Sequence, residues 1–132
     1  MSVVDASLLG ASNNDEEPGH AAAVAWLNRA IAEVSELRAP TILIPEVASA
    51  ILRLGRSTSS AYGFIDRIRG LVELHPVDAA LAARAATLVL ELGLRGCDAI
   101  YVALAEQLGE ELVTLDKQQF ERAQAVVRTV YP

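Results

Sequence analysis

The chain of 132 residues has one cysteine, Cys97, and one lysine, Lys117. A lone cysteine excludes an internal disulfide and fits a reducing compartment. Positive charge is short overall: 11 basic residues face 17 acidic ones, a net charge of -6. That excludes a uniformly basic coat for nucleic acid. Aromatic residues make up 5%. Trp26, Tyr62, Phe64 and Tyr101 fall at helical core spacings, so no stacking platform for bases is evident. No apolar run approaches the roughly 20 residues that span a bilayer. Met1-Ser2-Val3-Val4-Asp5 lacks the charged start and long apolar stretch of a signal peptide. A cytoplasmic protein is expected. HExxH, CxxC and a strand-following GxGxxG are all missing, and the Gly55-Arg56-Ser57-Thr58 run lacks the lysine of a phosphate-binding loop. His20 and His75 have no second His or Cys at ligand spacing, so they read as loop or cap residues.

What is present points to one globular domain over residues 1–132. Hydrophobic residues reach 52% and charged residues 21%, the balance of a chain that can bury a core without staples. Short apolar runs alternate with helical patterns. Ser2–Val4, Thr41–Ile44, Leu71–Leu74, Leu112–Leu115 and Val126–Val130 read as strands. Helices are expected over His20–Leu37, with Val24, Leu27, Ile31 and Val34 as its apolar stripe, and over Glu46–Leu54 after Pro45. Further helices are expected over Ala61–Arg69, from Asp78 to Leu92, from Asp98 to Gly109, and over Gln118–Ala123. Such alternation predicts an α/β fold: a five-stranded parallel sheet between helical layers, an α/β/α sandwich.

The acids fall where strands hand over to helices. Asp5 follows the first strand, Glu46 the second across Ile44-Pro45, and Asp116 the fourth, while Asp98 opens a helix after Gly93–Cys97. In open α/β sheets that edge is where ligands collect. Taken singly, Asp5, Asp98 and Asp116 each fit a helix N-cap, and Glu46 fits the helix dipole. Taken together they would crowd one pocket. Unit charges 4 Å apart repel by roughly 4 kcal/mol at an effective dielectric of 20. Protonation relieves that, and so does a divalent cation among them. Oxygen ligands without His or Cys select Mg²⁺ or Mn²⁺. Such ions neutralise phosphate charge and make hydroxide from water, which suits phosphodiester hydrolysis.

Val3-Val4-Asp5-Ala6-Ser7, Pro45–Ile51 (starting Pro45-Glu46-Val47), Cys97-Asp98-Ala99-Ile100-Tyr101 through Ala105, and Leu112–Asp116 resemble, in order, the acidic segments of PIN-domain proteins. The likeness is to the kind found as toxins of VapBC toxin–antitoxin pairs. It implies a Mg²⁺- or Mn²⁺-dependent endoribonuclease, a homodimer silenced by a cognate antitoxin, with RNA cut to leave 5′-phosphate and 3′-hydroxyl ends. It assigns Asp5, Glu46, Asp98 and Asp116 to the metal and catalytic site, with Ser7 and Thr114 supporting. It also implies an antitoxin that lays an apolar helix in a groove and reaches an arginine toward the carboxylates. Ser49 and Cys97 depart from the family's usual Asn and Tyr, and neither is a metal ligand.

The acidic excess is uneven. Residues 38–72 carry five arginines against Glu46 and Asp66, a local +3. Arg53 and Arg56, with Arg67 and Arg69, are candidates to hold RNA phosphates; a solvated face is the plain alternative. Cys97 is expected to be a mostly buried small residue and not a catalytic thiol. Two rival readings remain: the same fold with an idle acidic pocket acting as a scaffold, and a receiver-like phosphoacceptor. The second lacks its paired early acids and a lysine on the last strand.

Overall fold

The computed structural model describes residues 1–132. The chain runs β1 (Ser2–Val4), α1 (Ala6–Ser12), α2 (His20–Ala32), β2 (Leu37–Pro40), α3 (Leu43–Arg53), α4 (Thr58–Leu71) and β3 (Val72–His75). It continues α5 (Ala79–Leu92), α6 (Gly96–Leu108), β4 (Glu111–Val113), α7 (Lys117–Ala123) and β5 (Thr129–Val130). All strand pairs are parallel, and the spatial order is β3-β2-β1-β4-β5. The chain thus winds outward from β1 to β3, then returns to β4 on the other side of β1. The winding reverses between β1 and β4, and a crevice for ligands opens at the carboxyl ends of strands where that happens. Asp5 and Asp116 sit at those two ends.

One apolar core joins both helical layers to the sheet. Val3, Val4, Leu37, Leu112 and Val113 from the strands meet Leu8, Leu27, Val47, Leu88 and Leu104 from the helices, each no more than 7% exposed. No helix is long and apolar enough to cross a membrane.

The second strand corrects the expectation. Thr41–Ile44 is not a strand: β2 is Leu37–Pro40, and α3 starts at Leu43. Leu43, Val47 and Ile51 recur every four residues and are the buried face of α3, so the apolar run opens an amphipathic helix. Pro45 sits in its first turn, where a missing N–H loses no bond. Glu46 is therefore carried on a helix, not at the end of a strand. The last strand is also shorter than Val126–Val130, and α6 begins at Gly96, with Asp98 in its first turn and not at its cap.

Helix α2 stops at Ala32, five residues before the expected Leu37. Its buried residues are Ala23, Leu27 and Ala30, while Ile31 and Val34 from the expected stripe are exposed. The end is a Schellman turn: the Ser35 N–H donates to Ala30 O at 2.8 Å and the Val34 N–H to Ile31 O at 3.1 Å. Val34 occupies its left-handed position at φ 53° and is 86% exposed. A β-branched residue is strained there. Val34→Gly is expected to stabilise the fold by about 1 kcal/mol, raising the melting temperature by about 3 °C. A thermal melt that falls instead would contradict the assignment.

Candidate active site

Each acid is placed by a local device. Asp5 leaves β1 and caps α1: its Oδ1 accepts the Leu8 N–H at 3.1 Å and the Ser7 hydroxyl at 2.7 Å. Its Oδ2 accepts the Thr114 hydroxyl at 2.6 Å. Thr114 lies just past β4, so Asp5 is tied to the strand beside its own. Ser7 Oγ also accepts the Leu115 N–H, and Thr114 Oγ1 the Asp116 N–H. The two hydroxyls expected to support the site are thus the seam that joins β1 to β4. Asp5 is 3% exposed, and burial pushes its carboxyl up to about 6, against the pull of its hydrogen bonds and with a further push from Asp98.

Asp98 stands in the first turn of α6 and Asp116 caps α7, its Oδ1 accepting the Gln119 N–H at 3.0 Å. Arg95 lies between them. Its Nε donates to Asp98 Oδ2 at 3.0 Å and its Nη2 to Asp116 Oδ2 at 2.7 Å. Burial still raises the Asp98 pKa, opposed by Arg95 and reinforced by Asp116. Glu46 reaches the cluster from α3, its Oε1 accepting the Tyr101 hydroxyl at 2.6 Å. Tyr101 is 1% exposed, and burial followed by the Glu46 carboxylate drives its phenol well above the usual range. It therefore remains a donor and fixes the rotamer of Glu46.

Three of the carboxylates feel one another in a chain, Asp116 acting on Asp98 and Asp98 on Asp5, while Glu46 joins them through Tyr101, on which Asp5 also acts. Some acids elsewhere are matched by arginines. Arg38 faces Glu36, Glu73 and buried Glu110, and Arg84 clasps Glu106 at 2.7 and 2.8 Å. At the strand ends, Arg95 alone is paired with Asp98 and Asp116. No three His, Cys, Asp or Glu side chains are arranged to hold an ion outright. The donor set is all oxygen, and two of its members already share a cation, so in kind the residues fit a hard divalent ion.

Arg95, Tyr101 and Gln119 are the site residues that sequence reasoning missed. The Gln119 amide nitrogen donates to Asp98 O at 3.4 Å, linking α7 to the first turn of α6. Of the four candidate phosphate contacts, Arg53 lines the cavity that also holds Ser7 and Glu46, while Arg56, in the loop after α3, and Arg67 and Arg69, on α4, are exposed and do not line it. Cys97 corrects another expectation: it is exposed, because the buried face of α6 begins at Ala99. Partial burial, Glu46 and Asp98 raise its thiol pKa, which opposes a thiolate nucleophile. Tyr62 is likewise 66% exposed and not in the core.

Residues 2–126 match the model of the PIN domain. The chain is 31% identical over 131 residues to Ribonuclease VapC3 of Pyrobaculum aerophilum, covering 95% of this chain and 96% of that protein. Its fold is similar to VapC20 of Mycobacterium tuberculosis, a sarcin–ricin loop cleaving toxin, with a TM-score of 0.78 at 19% identity and full coverage of both chains (100% each). It is similar to a chain of the Rickettsia felis VapBC2 complex with promoter DNA, with a TM-score of 0.74 at 13% identity, covering 99% of this chain and 98% of the other.

Proposed function

The chain belongs to the PIN domain family, and on that footing we propose that it is a Mg²⁺- or Mn²⁺-dependent endoribonuclease, the toxin of a toxin–antitoxin pair acting in the cytoplasm. What supports the reading is that Asp5 lies at the end of β1 beside the switch point, tied to β4 through Thr114, that Arg95 bridges Asp98 and Asp116, and that Glu46 is joined to α6 through Tyr101. Asp5, Asp98 and Asp116, with Glu46, would hold the metal. When bound, it would polarise the phosphodiester and lower the pKa of an attacking water.

The chain's own groups prepare for this. Ser7 and Thr114 hold the Asp5 carboxylate toward the β1–β4 seam. Tyr101 holds Glu46. Arg95, with its side chain 69% exposed, neutralises Asp98 and Asp116 until a cation of higher charge takes its place. Its two ion pairs are partly solvated and together worth about 1 kcal/mol. Arg95→Gln is therefore expected to bind Mn²⁺ about fivefold more tightly, read by electron paramagnetic resonance without RNA. Weaker binding would show that Arg95 assists the ion. Exposed Leu52, Leu54 and Tyr62, on α3, the loop after it and α4, offer an apolar surface for the homodimer partner or an antitoxin.

The test is a cleavage assay on the purified chain with RNA. Fragments are expected with Mg²⁺ or Mn²⁺ and none with EDTA. Metal binding without fragments would make the acidic pocket an idle one.

A further inference from the structure

A cavity of about 570 Å³ opens beside the acid cluster, with Ser7 and Glu46 on its wall. That volume is in the range of built ligand sites. Gly10 is on the wall too. It lies inside α1 (Ala6–Ser12), where glycine is the poorest helix former after proline. Close packing within the protein does not require it: a Cβ on Gly10 would meet nothing within 4 Å. A bare backbone in a helix, facing an open cavity, leaves room for close approach by something outside the chain.

The rest of the wall indicates the chemistry of that ligand. Arg53 from α3 and Lys117 from the start of α7 are both exposed and supply positive charge. Tyr131 follows β5 and is 42% exposed. Its ring is braced edge-on by Phe120, with centroids 5.6 Å apart and planes at 67°. Glu17 is the one acid on the wall apart from Glu46. A braced aromatic ring on the same wall as two cations suits a phosphate chain whose bases are free to stack.

We propose that this cavity seats a single-stranded segment of the RNA, with Gly10 as a flat floor, Tyr131 stacking on a base, and Arg53 and Lys117 holding phosphates. The proposal rests on the ribonuclease reading for the identity of the ligand. Lys117 and Tyr131 are then binding residues distinct from the acids that cut. The aromatic platform that the sequence did not reveal is the next-to-last residue.

The experiment measures fluorescence anisotropy of a short labelled single-stranded RNA in EDTA, where cleavage is off. Tyr131→Ala is expected to weaken binding about tenfold, whereas Tyr131→Phe keeps the ring and the affinity. Gly10→Leu fills the floor and weakens binding more than Gly10→Ala. Gly10→Ala also separates binding from folding: it is expected to melt about 2 °C higher yet bind RNA less tightly. Wild-type affinity in both Gly10→Leu and Tyr131→Ala would overturn the proposal and leave the cavity to a protein partner or to none. Equal affinity of the wild type for duplex RNA would overturn it as well. The two readings fail separately. Variants that lose RNA while the wild type cuts nothing with Mg²⁺ or Mn²⁺ sink the nuclease alone; cutting with affinity unmoved by the variants sinks the cavity assignment alone.

Discussion

Asp98→Asn is expected to slow RNA cleavage by about 10³-fold while the protein folds as before. Asn keeps the shape of the side chain and removes the charge. A catalytic divalent ion supplies several kcal/mol of transition-state stabilisation, and about 1.4 kcal/mol is a factor of ten in rate, so a poorly held ion gives a loss of this size. Folding should tolerate the change. Burial raises the pKa of Asp98, and the charge of Asp116 adds to that, so the apo protein gains by losing one of two repelling carboxylates, against a partly solvated contact to Arg95. The check is single-turnover cleavage beside a thermal melt. Undiminished cleavage by a folded Asp98→Asn protein would remove Asp98 from the site.

Asp5→Asn should separate stability from function more widely. The Asp5 carboxyl moves from an ordinary value of 3.8 to about 6 in the fold because it is buried. An acid raised in this way binds its proton more tightly folded than unfolded. Its contribution to stability is fully present below about pH 4 and is lost as pH rises through 6. The difference amounts to about 3 kcal/mol. Near pH 7.5 the Asn protein, which has no charge to bury, is expected to melt about 10 °C above wild type; near pH 4 the gap should close. Added Mg²⁺ should raise the melting temperature of the wild type and leave the variant where it is. The variant should also be inactive, the usual exchange between stability and a strained site. A gap that stays constant with pH would show that Asp5 is not a buried charge in the folded protein.

The positions of the acids were legible because their placement is local. A short apolar run followed by Asp is at once a strand end and a helix cap; Asp5 is both, while Asp116 caps α7 beyond Thr114 and Leu115, since β4 ends at Val113 and not at the expected Leu115. Asp98 could be placed from its apolar helix, although the first turn starts two residues earlier. Glu46 is expected to follow a strand, and the structure carries it in the first turn of α3 instead. Thr41–Ile44 has the β-branched look of a strand, but the four-residue repeat of Leu43, Val47 and Ile51 outweighs it. Arg38 hid the true strand, since its charge interrupts Leu37–Pro40; in the fold that charge is met by Glu36, Glu73 and Glu110.

The missed residues share a different property: their partners are far away in the chain. Tyr101 meets Glu46 across 55 positions and Arg95 meets Asp116 across 21. The first contact needs α3 and α6 to arrive on the same side of the crevice, and the second needs β4 to dock beside β1. Tyr101 has the spacing of a core residue and is one; only its hydroxyl serves the site. Arg95 reads as an ordinary loop arginine until α7 is in place. This chain sets an arginine of its own against two of the carboxylates, which the sequence alone does not suggest.

Counting Mn²⁺ ions bound per chain in the absence of RNA, by electron paramagnetic resonance, tests most directly whether these side chains act as one unit. The wild type should bind Mn²⁺, and Asp5→Asn, Asp98→Asn and Asp116→Asn should each weaken that same binding, although the three residues lie on different segments. Unchanged Mn²⁺ affinity in all three variants would mean that no ion is shared among them, and the metal-dependent nuclease would be contradicted.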